Sequence, residues 1–176
     1  EVVFTSGATE ANNLAIQGVL RNLVSRKETK FLRPHIITSA IEHESVLSPC
    51  QELERQGLAE VTYLPVGAEG ILKVEDVEKA IKENTALVSI AYANSEIGTV
   101  QPIAEIGALI ERYKILNTKY KILFHVDAVQ AAQFLDCDIK KLGVDLLTLS
   151  SHKIYGPKGA GALYIRDGVS LAPALY

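Results

Sequence analysis

Short apolar runs alternate along this chain with longer stretches of helical character, and that alternation restricts the fold more than any other feature. His35–Ser39, Glu60–Pro65, Ala86–Tyr92, Lys121–Val126 and Val144–Leu149 are strand-like, and Glu1–Thr5 opens the chain in the same way. Between them the pattern predicts helices from about Thr9 to Ser25, over Ser45–Gln56, over Val74–Lys82 and from Pro102 to about Tyr113. A short helical turn is expected at Ile139–Leu142. Pro102 suits a first helical turn, where a missing N–H costs little. Gly161–Arg166 reads as a last strand, antiparallel or at an edge, and Arg26–Lys30 as a polar surface loop. Strands apolar on both faces that alternate with helices imply a parallel sheet covered on both sides. The expected fold is α/β, a three-layer sandwich around a mostly parallel seven-stranded sheet. Ligands of such sheets bind at the carboxyl ends of the strands.

Bulk composition narrows the function classes. With 176 residues, 48% of them hydrophobic, the chain can build one domain with a sizeable core. Its 18 Lys+Arg against 21 Asp+Glu give no electrostatic case for nucleic acid or an anionic membrane. The apolar runs are too short for a transmembrane helix. Cys50 and Cys137 make neither a disulfide framework nor a metal cluster, so no metal is expected and a reducing, cytoplasmic setting is. There is no methionine, and the chain begins inside an apparent strand. The expectation is an internal piece of a longer protein.

Polar residues that look out of place cluster just after strands: Ser6-Gly-Ala-Thr9, Glu42-His43, Asn94-Ser-Glu96, Asp127 with Gln130, and Ser150-Ser-His-Lys153. In a doubly wound sheet all five face one crevice. Two readings stand for each. Ser6–Glu10 is either a plain helix cap or an anion site at a helix N-terminus. His43 is either a surface histidine or a neutral ring that stacks on a flat cofactor and shuttles a proton. Asp127 closes an apolar strand and needs a partner, either a helix cap or a ligand. Gln130 is a surface or a site residue, and His125 packs within its strand. Lys153 sits at the mouth of a buried strand, a partly dry place where a lysine can become a nucleophile. Lys158 competes with it but lies in a solvated turn. A lysine for a Schiff base and an aspartate for a pyridinium nitrogen are the two groups that pyridoxal phosphate (PLP) most needs. No GxGxxG fingerprint or P-loop lysine is present, which disfavours a dinucleotide or nucleoside triphosphate.

Ser6-Gly-Ala-Thr-Glu-Ala-Asn-Asn13, Glu42-His43, Ser95-Glu-Ile-Gly98, His125-Val-Asp-Ala128 with Gln130, and Ser150-Ser-His-Lys-Ile-Tyr-Gly-Pro-Lys-Gly159 together resemble the class V aminotransferase family, and within it the cysteine desulfurases. The motifs occur in the family's order over nearly the whole chain. Any one is weak; five in register are highly specific. The resemblance implies that residues 1–176 are a PLP-binding large domain without its N-terminal segment and C-terminal small domain. It implies Lys153 as the Schiff-base lysine and proton carrier, Asp127 as partner of the pyridinium nitrogen, His43 stacked on the ring, and Gln130 on its phenolic oxygen. Ala8, Thr9, Ser150 and His152 would hold the phosphate. The implied reaction converts L-cysteine to L-alanine and passes the sulfur as a persulfide to an acceptor such as an iron–sulfur scaffold or thiolated tRNA, in a homodimer. The fragment alone would be inactive.

Two departures accompany the resemblance. Where the group reads Asn-Asn-Glu-Ile-Gly, this chain has Asn94-Ser95-Glu96, so Ser95, or Asn94 after a small shift, takes over the ring contact. The persulfide cysteine and the substrate-binding arginine would lie beyond Tyr176. Cys50 is placed in a helix and Cys137 between two aspartates, which raises rather than lowers a thiol pKa. The rival readings are another class V PLP enzyme, such as a selenocysteine lyase or aminotransferase, a non-catalytic scaffold, and a nucleotide-binding domain.

Overall fold

A computed structural model describes residues 1–25, 33–115 and 121–174. The predicted Arg26–Lys30 loop lies outside the described residues. Seven strands form one sheet: β1 (Val2–Thr5), β2 (His35–Ser39), β3 (Glu60–Leu64), β4 (Thr85–Ala91), β5 (Leu123–Asp127), β6 (Leu146–Ser150) and β7 (Gly161–Ile165). Their spatial order is β1-β7-β6-β5-β4-β2-β3. Five helices cover it: α1 (Ala8–Ser25), α2 (Glu44–Arg55), α3 (Val74–Ala80), α4 (Ile103–Ile115) and α5 (Ile139–Leu142).

Pairing is parallel from β3 through β2, β4 and β5 to β6. β7 runs antiparallel between β6 and β1. The last strand is therefore antiparallel, as expected, but it is interior, and β1 takes the edge. The central strands are apolar on both faces because both faces are buried. Ile36, Leu87, Leu146 and Leu163 point to the α1–α2 layer, with Ala15, Ile16, Leu20, Val46 and Leu53. Their chain neighbours Ile37, Val88 and Leu147, with Phe124 and Val126, point to the α3–α4–α5 layer, with Val77, Ile106 and Ile110. Two cores sandwiching one sheet are what a strand period of two and a helix stripe of 3.6 produce together.

Buried polar groups are paired across strands. His125 lies between Ser89 Oγ (2.8 Å) and Thr148 Oγ1 (3.0 Å), which is the packing role expected of it. At the opposite end of the sheet from the strand carboxyl termini, Asp145 accepts from Phe124 N–H at 2.8 Å and pairs with Lys114 (2.9 Å) and Arg166 (3.2 Å). Gly107 allows α4 to meet the end of α5, because a side chain there would run into the Leu142 carbonyl. No described helix is long and apolar enough to cross a membrane.

Candidate active site

The carboxyl ends of β2, β4, β5 and β6 and the start of α1 surround a cavity of about 880 Å³. All five polar clusters predicted from the sequence reach it. Ala8, Thr9, His43, Ser95, Asp127, Gln130, His152 and Lys153 line its wall. Ser150 stands one step behind: it is the last residue of β6, buried, and its Oγ lies 2.9 Å from His152 Nδ1.

The anion end is built by β1, β7 and α1. Gly161 pairs with Thr5, and a Cβ at Gly161 would fall 2.7 Å from the Gly7 backbone, so only glycine lets β7 approach the turn before α1. Ser6 N–H donates to Glu10 Oε2 at 2.6 Å, and hydrogen bonding from the Ser6 side chain first, then from this N–H, lowers the Glu10 pKa. That is the helix-capping arrangement. It leaves the first N–H groups of α1, those of Ala8 and Thr9, at the cavity wall, where helix geometry supplies them no partner. The cap and the anion site therefore coexist.

Asp127 ends β5 on the α1 side, only 8% exposed. Its Oδ2 accepts from Asn12 Nδ2 at 2.8 Å and its Oδ1 from Val129 N–H at 3.0 Å. Burial pushes its pKa up, while the bonds from Asn12 and Val129 and the nearby His43 pull it back. His43 is exposed at the N-cap of α2. Its Nδ1 accepts from Ser45 N–H at 3.0 Å, and Ser45 Oγ lies 2.8 Å from the same nitrogen. With Nδ1 occupied as an acceptor, the neutral ring carries its proton on Nε2. The ring can stack and donate from Nε2, but to take a proton at Nδ1 it must first leave Ser45.

Lys153 closes the one-turn 3-10 helix Ser151–Lys153 that follows β6. It is exposed, not partly dry. The turn carries it past the last buried residue of the strand and out from under the helix layers. Lys158 is exposed too and lines the same cavity, so solvation does not separate the two lysines. Tyr155, with φ 61, makes the reversal between them in left-handed backbone that a side chain disfavours.

Asn94 and Ser95 differ in freedom. Asn94 Nδ2 donates to the Ile41 carbonyl at 2.8 Å, and its Oδ1 accepts from the N–H groups of Glu96 (2.8 Å) and Ile97 (3.0 Å). Asn94 thus holds its own turn against the loop after β2. Ser95 is exposed at the cavity wall, and of the two expected candidates it is the one whose side chain is not tied into the loop.

Three residues of this site received no role of their own from sequence reasoning, although Glu42 was placed at the crevice beside His43. Asn12 sits on the buried stripe of α1 beside Ala15 and Ile16, and Ser45 on that of α2 beside Val46 and Pro49. A polar residue on an apolar helical stripe was the signal available. The third is Glu42, 7% exposed, which accepts from Ser39 Oγ (2.5 Å) and Ala91 N–H (3.0 Å) and so pins the ends of β2 and β4 together. Neither cysteine is a nucleophile here. Cys50 is fully buried in α2 with its thiol pushed up to about 12, and Cys137 is raised first by burial and then by Asp136.

A model of the aminotransferase class V family matches residues 1–176. The chain belongs to the class V aminotransferase family. Among curated relatives, the cysteine desulfurase IscS of Dictyoglomus turgidum is 47% identical over all 176 residues, which make up 41% of that protein. The mitosomal cysteine desulfurase of Encephalitozoon cuniculi is 51% identical over 166 residues, 94% of this chain and 36% of its own length. This class V chain therefore spans less than half the length of the relatives it matches. Among solved structures, SspA in complex with cysteine superposes with a TM-score of 0.88 at 44% identity, covering 99% of this chain and 47% of that one. A NifS-like protein gives 0.89 at 38% identity over 100% of this chain and 45% of its own.

Proposed function

We propose that this chain is the cofactor-binding part of a PLP-dependent cysteine desulfurase. The observation that carries the reading is the buried Asp127 carboxylate facing the same cavity as Lys153, with the exposed ring of His43 on its wall. The donor set fits PLP. Asp127 offers a charge in a dry place for the pyridinium nitrogen, the α1 N-terminus with His152 and its partner Ser150 offers hydrogen bonds for the phosphate, and Lys153 offers the amine. Gln130 and Ser95 are the neutral groups available to the ring oxygen. The relatives named as cysteine desulfurases, and the SspA structure holding cysteine, support L-cysteine as the substrate. Sulfur would leave as a persulfide on a cysteine outside these 176 residues, since both thiols within them are raised. Its destination would be an acceptor such as an iron–sulfur scaffold. The working protein is taken to be a cytoplasmic homodimer in which residues 1–176 form most of the large domain.

Bound PLP supplies an electron sink for the carbanion at the substrate Cα. Asp127, paired with Asn12 and Val129, keeps the sink's nitrogen protonated. Lys153 would hold the group through its amine and, once released, would take and return the proton at the substrate Cα. Its exposed position in a one-turn 3-10 helix gives it the freedom to swing between those tasks. His43 covers one face and can donate only from Nε2.

The test uses the full-length protein, PLP and L-cysteine. The visible band of covalently bound cofactor is expected in wild type and in Lys158→Ala and absent in Lys153→Ala, with sulfide and alanine released by wild type. A band that survives Lys153→Ala, or a wild type that binds PLP and releases no sulfide, overturns the reading.

A further inference from the structure

One amide joins the two cavity groups that meet no common backbone element. Asn12 is fully buried, and its Nδ2 makes two hydrogen bonds of 2.8 Å, to Asp127 Oδ2 and to Ser45 Oγ. An amide nitrogen carries two protons, and here both are placed. Ser45 Oγ in turn lies 2.8 Å from His43 Nδ1, where its O–H completes the link. Four side chains thus run unbroken from β5 through α1 and α2 to the α2 N-cap. Asn12 Oδ1, by contrast, is buried with no partner. An unpaired buried carbonyl costs free energy that an apolar residue on this stripe would avoid. The residue is thus explained by its donors, not by its packing.

We propose that Asn12 is a positioning residue that aims the Asp127 carboxylate and, through Ser45, ties it to the His43 ring, so that one flat ligand meets both in fixed register. Two further observations support this. Among the groups that counter the effect of burial on Asp127, the Asn12 bond comes first. Ser45 also donates its N–H to His43 Nδ1, so the same residue that receives Asn12 decides which ring nitrogen carries the proton. The proposal deepens the PLP reading and rests on it for the identity of the flat ligand, but the hydrogen-bonded chain stands without the ligand.

The experiment uses full-length wild type, Asn12→Ala and Ser45→Ala, each with and without PLP. Three quantities are read: the PLP dissociation constant, the melting temperature of both forms, and the ¹⁵N shifts of His43 in the PLP-free protein. A merely structural Asn12 lowers both melting temperatures alike and leaves PLP affinity unchanged. A positioning Asn12 weakens PLP by at least about tenfold, the worth of one hydrogen bond to a charged group, and narrows the gap between the two melting temperatures. Ser45→Ala should weaken PLP less, because the Asn12–Asp127 bond survives; the backbone N–H at position 45 keeps His43 in its Nε2–H form, but the Nδ1 shift should move because one of its two donors, the Ser45 hydroxyl, is gone. Unchanged affinity in Asn12→Ala overturns the proposal. So do unchanged His43 shifts in Ser45→Ala, which decide the matter if Asn12→Ala does not fold. A wild type that binds no PLP overturns the cofactor reading instead, and the PLP-free ¹⁵N shifts still decide this one.

Discussion

Glu42 gives the sharpest quantitative test of how the sheet ends are held. Burial pushes its carboxyl from 4.5 up to about 8, and the Asp127 charge adds to the effect, while hydrogen bonds from Ser39 and Ala91 N–H oppose it. In the folded protein at neutral pH this group is held as the neutral acid. The unfolded chain releases the proton near 4.5, so stability is fully present below that pH, falls as pH rises, and is lost once the folded value of about 8 is passed. Each pH unit in that window costs the folded state about 1.4 kcal/mol. Glu42→Gln keeps an oxygen for Ser39 and Ala91 and cannot ionise. The amide placed where Oε2 now lies unpartnered changes stability by the same amount at every pH, so it drops out of the comparison. Urea unfolding of both proteins at pH 6, 7 and 8 should therefore show the wild type losing about 2 kcal/mol more than the variant between the first and last of these, less than two full units because the group is half ionised at the last. Two stability curves that stay parallel across that window would refute the buried neutral carboxyl.

Further expectations concern the rest of the fold. Asp145→Ala strands Lys114, whose side chain is 7% exposed, and frees the Phe124 N–H; urea unfolding should record a loss of about 3–5 kcal/mol. A loss below about 1 kcal/mol would mean that Glu111 alone satisfies Lys114. In the native protein an aromatic disulfide reagent should leave Cys50 unmodified while Cys137 reacts slowly, and both should react in denaturant; fast labelling of Cys50 would contradict its burial and raised thiol. His35 and His125 are pushed down to about 4 and about 3, chiefly by burial. Below the ordinary 6.5 the unfolded chain takes up protons that the folded one refuses, so these two rings destabilise the fold progressively as pH falls toward those values. Their NMR signals should not titrate between pH 8 and 5, and a midpoint near 6.5 for either would show the ring open to water.

The strands were legible because burial on both faces leaves a local mark: every residue of His35–Ser39 is buried, and its sequence says so without reference to a partner. Strand position was not legible for Gly161–Ile165, because its place between β6 and β1 is set by pairing with residues about 15 and 160 positions away. The site divides along the same line. His43, Asp127 and Lys153 stand at strand ends or helix starts, where the fold class alone predicts a crevice. Lys153's exposure could not be read, because it depends on which way a one-turn helix swings. Asn12 is separated from Asp127 by 115 residues and from Ser45 by 33, so no local pattern links them; what the sequence did offer was an unexplained polar residue on each of two apolar stripes.

The substitution at Ser95 shows what the two kinds of information do together. From the motif alone, Asn94 could slide one place and replace the missing amide. The structure commits both ends of the Asn94 side chain, its Nδ2 to Ile41 and its Oδ1 to the two N–H groups that follow. Freeing it would leave the Ile41 carbonyl and those two N–H groups without their side-chain partner and open the turn that ends β4. Under the PLP reading the ring contact therefore falls to the Ser95 hydroxyl, with its shorter reach, or is lost. Ser95→Asn should restore the longer donor, tighten PLP binding and leave the melting temperature of the PLP-free protein unchanged, since the new side chain enters an open cavity wall. Ser95→Ala should weaken binding if the hydroxyl makes the contact. If Ser95→Asn and Ser95→Ala bind PLP equally, position 95 does not touch the ring, and Gln130 alone serves its oxygen.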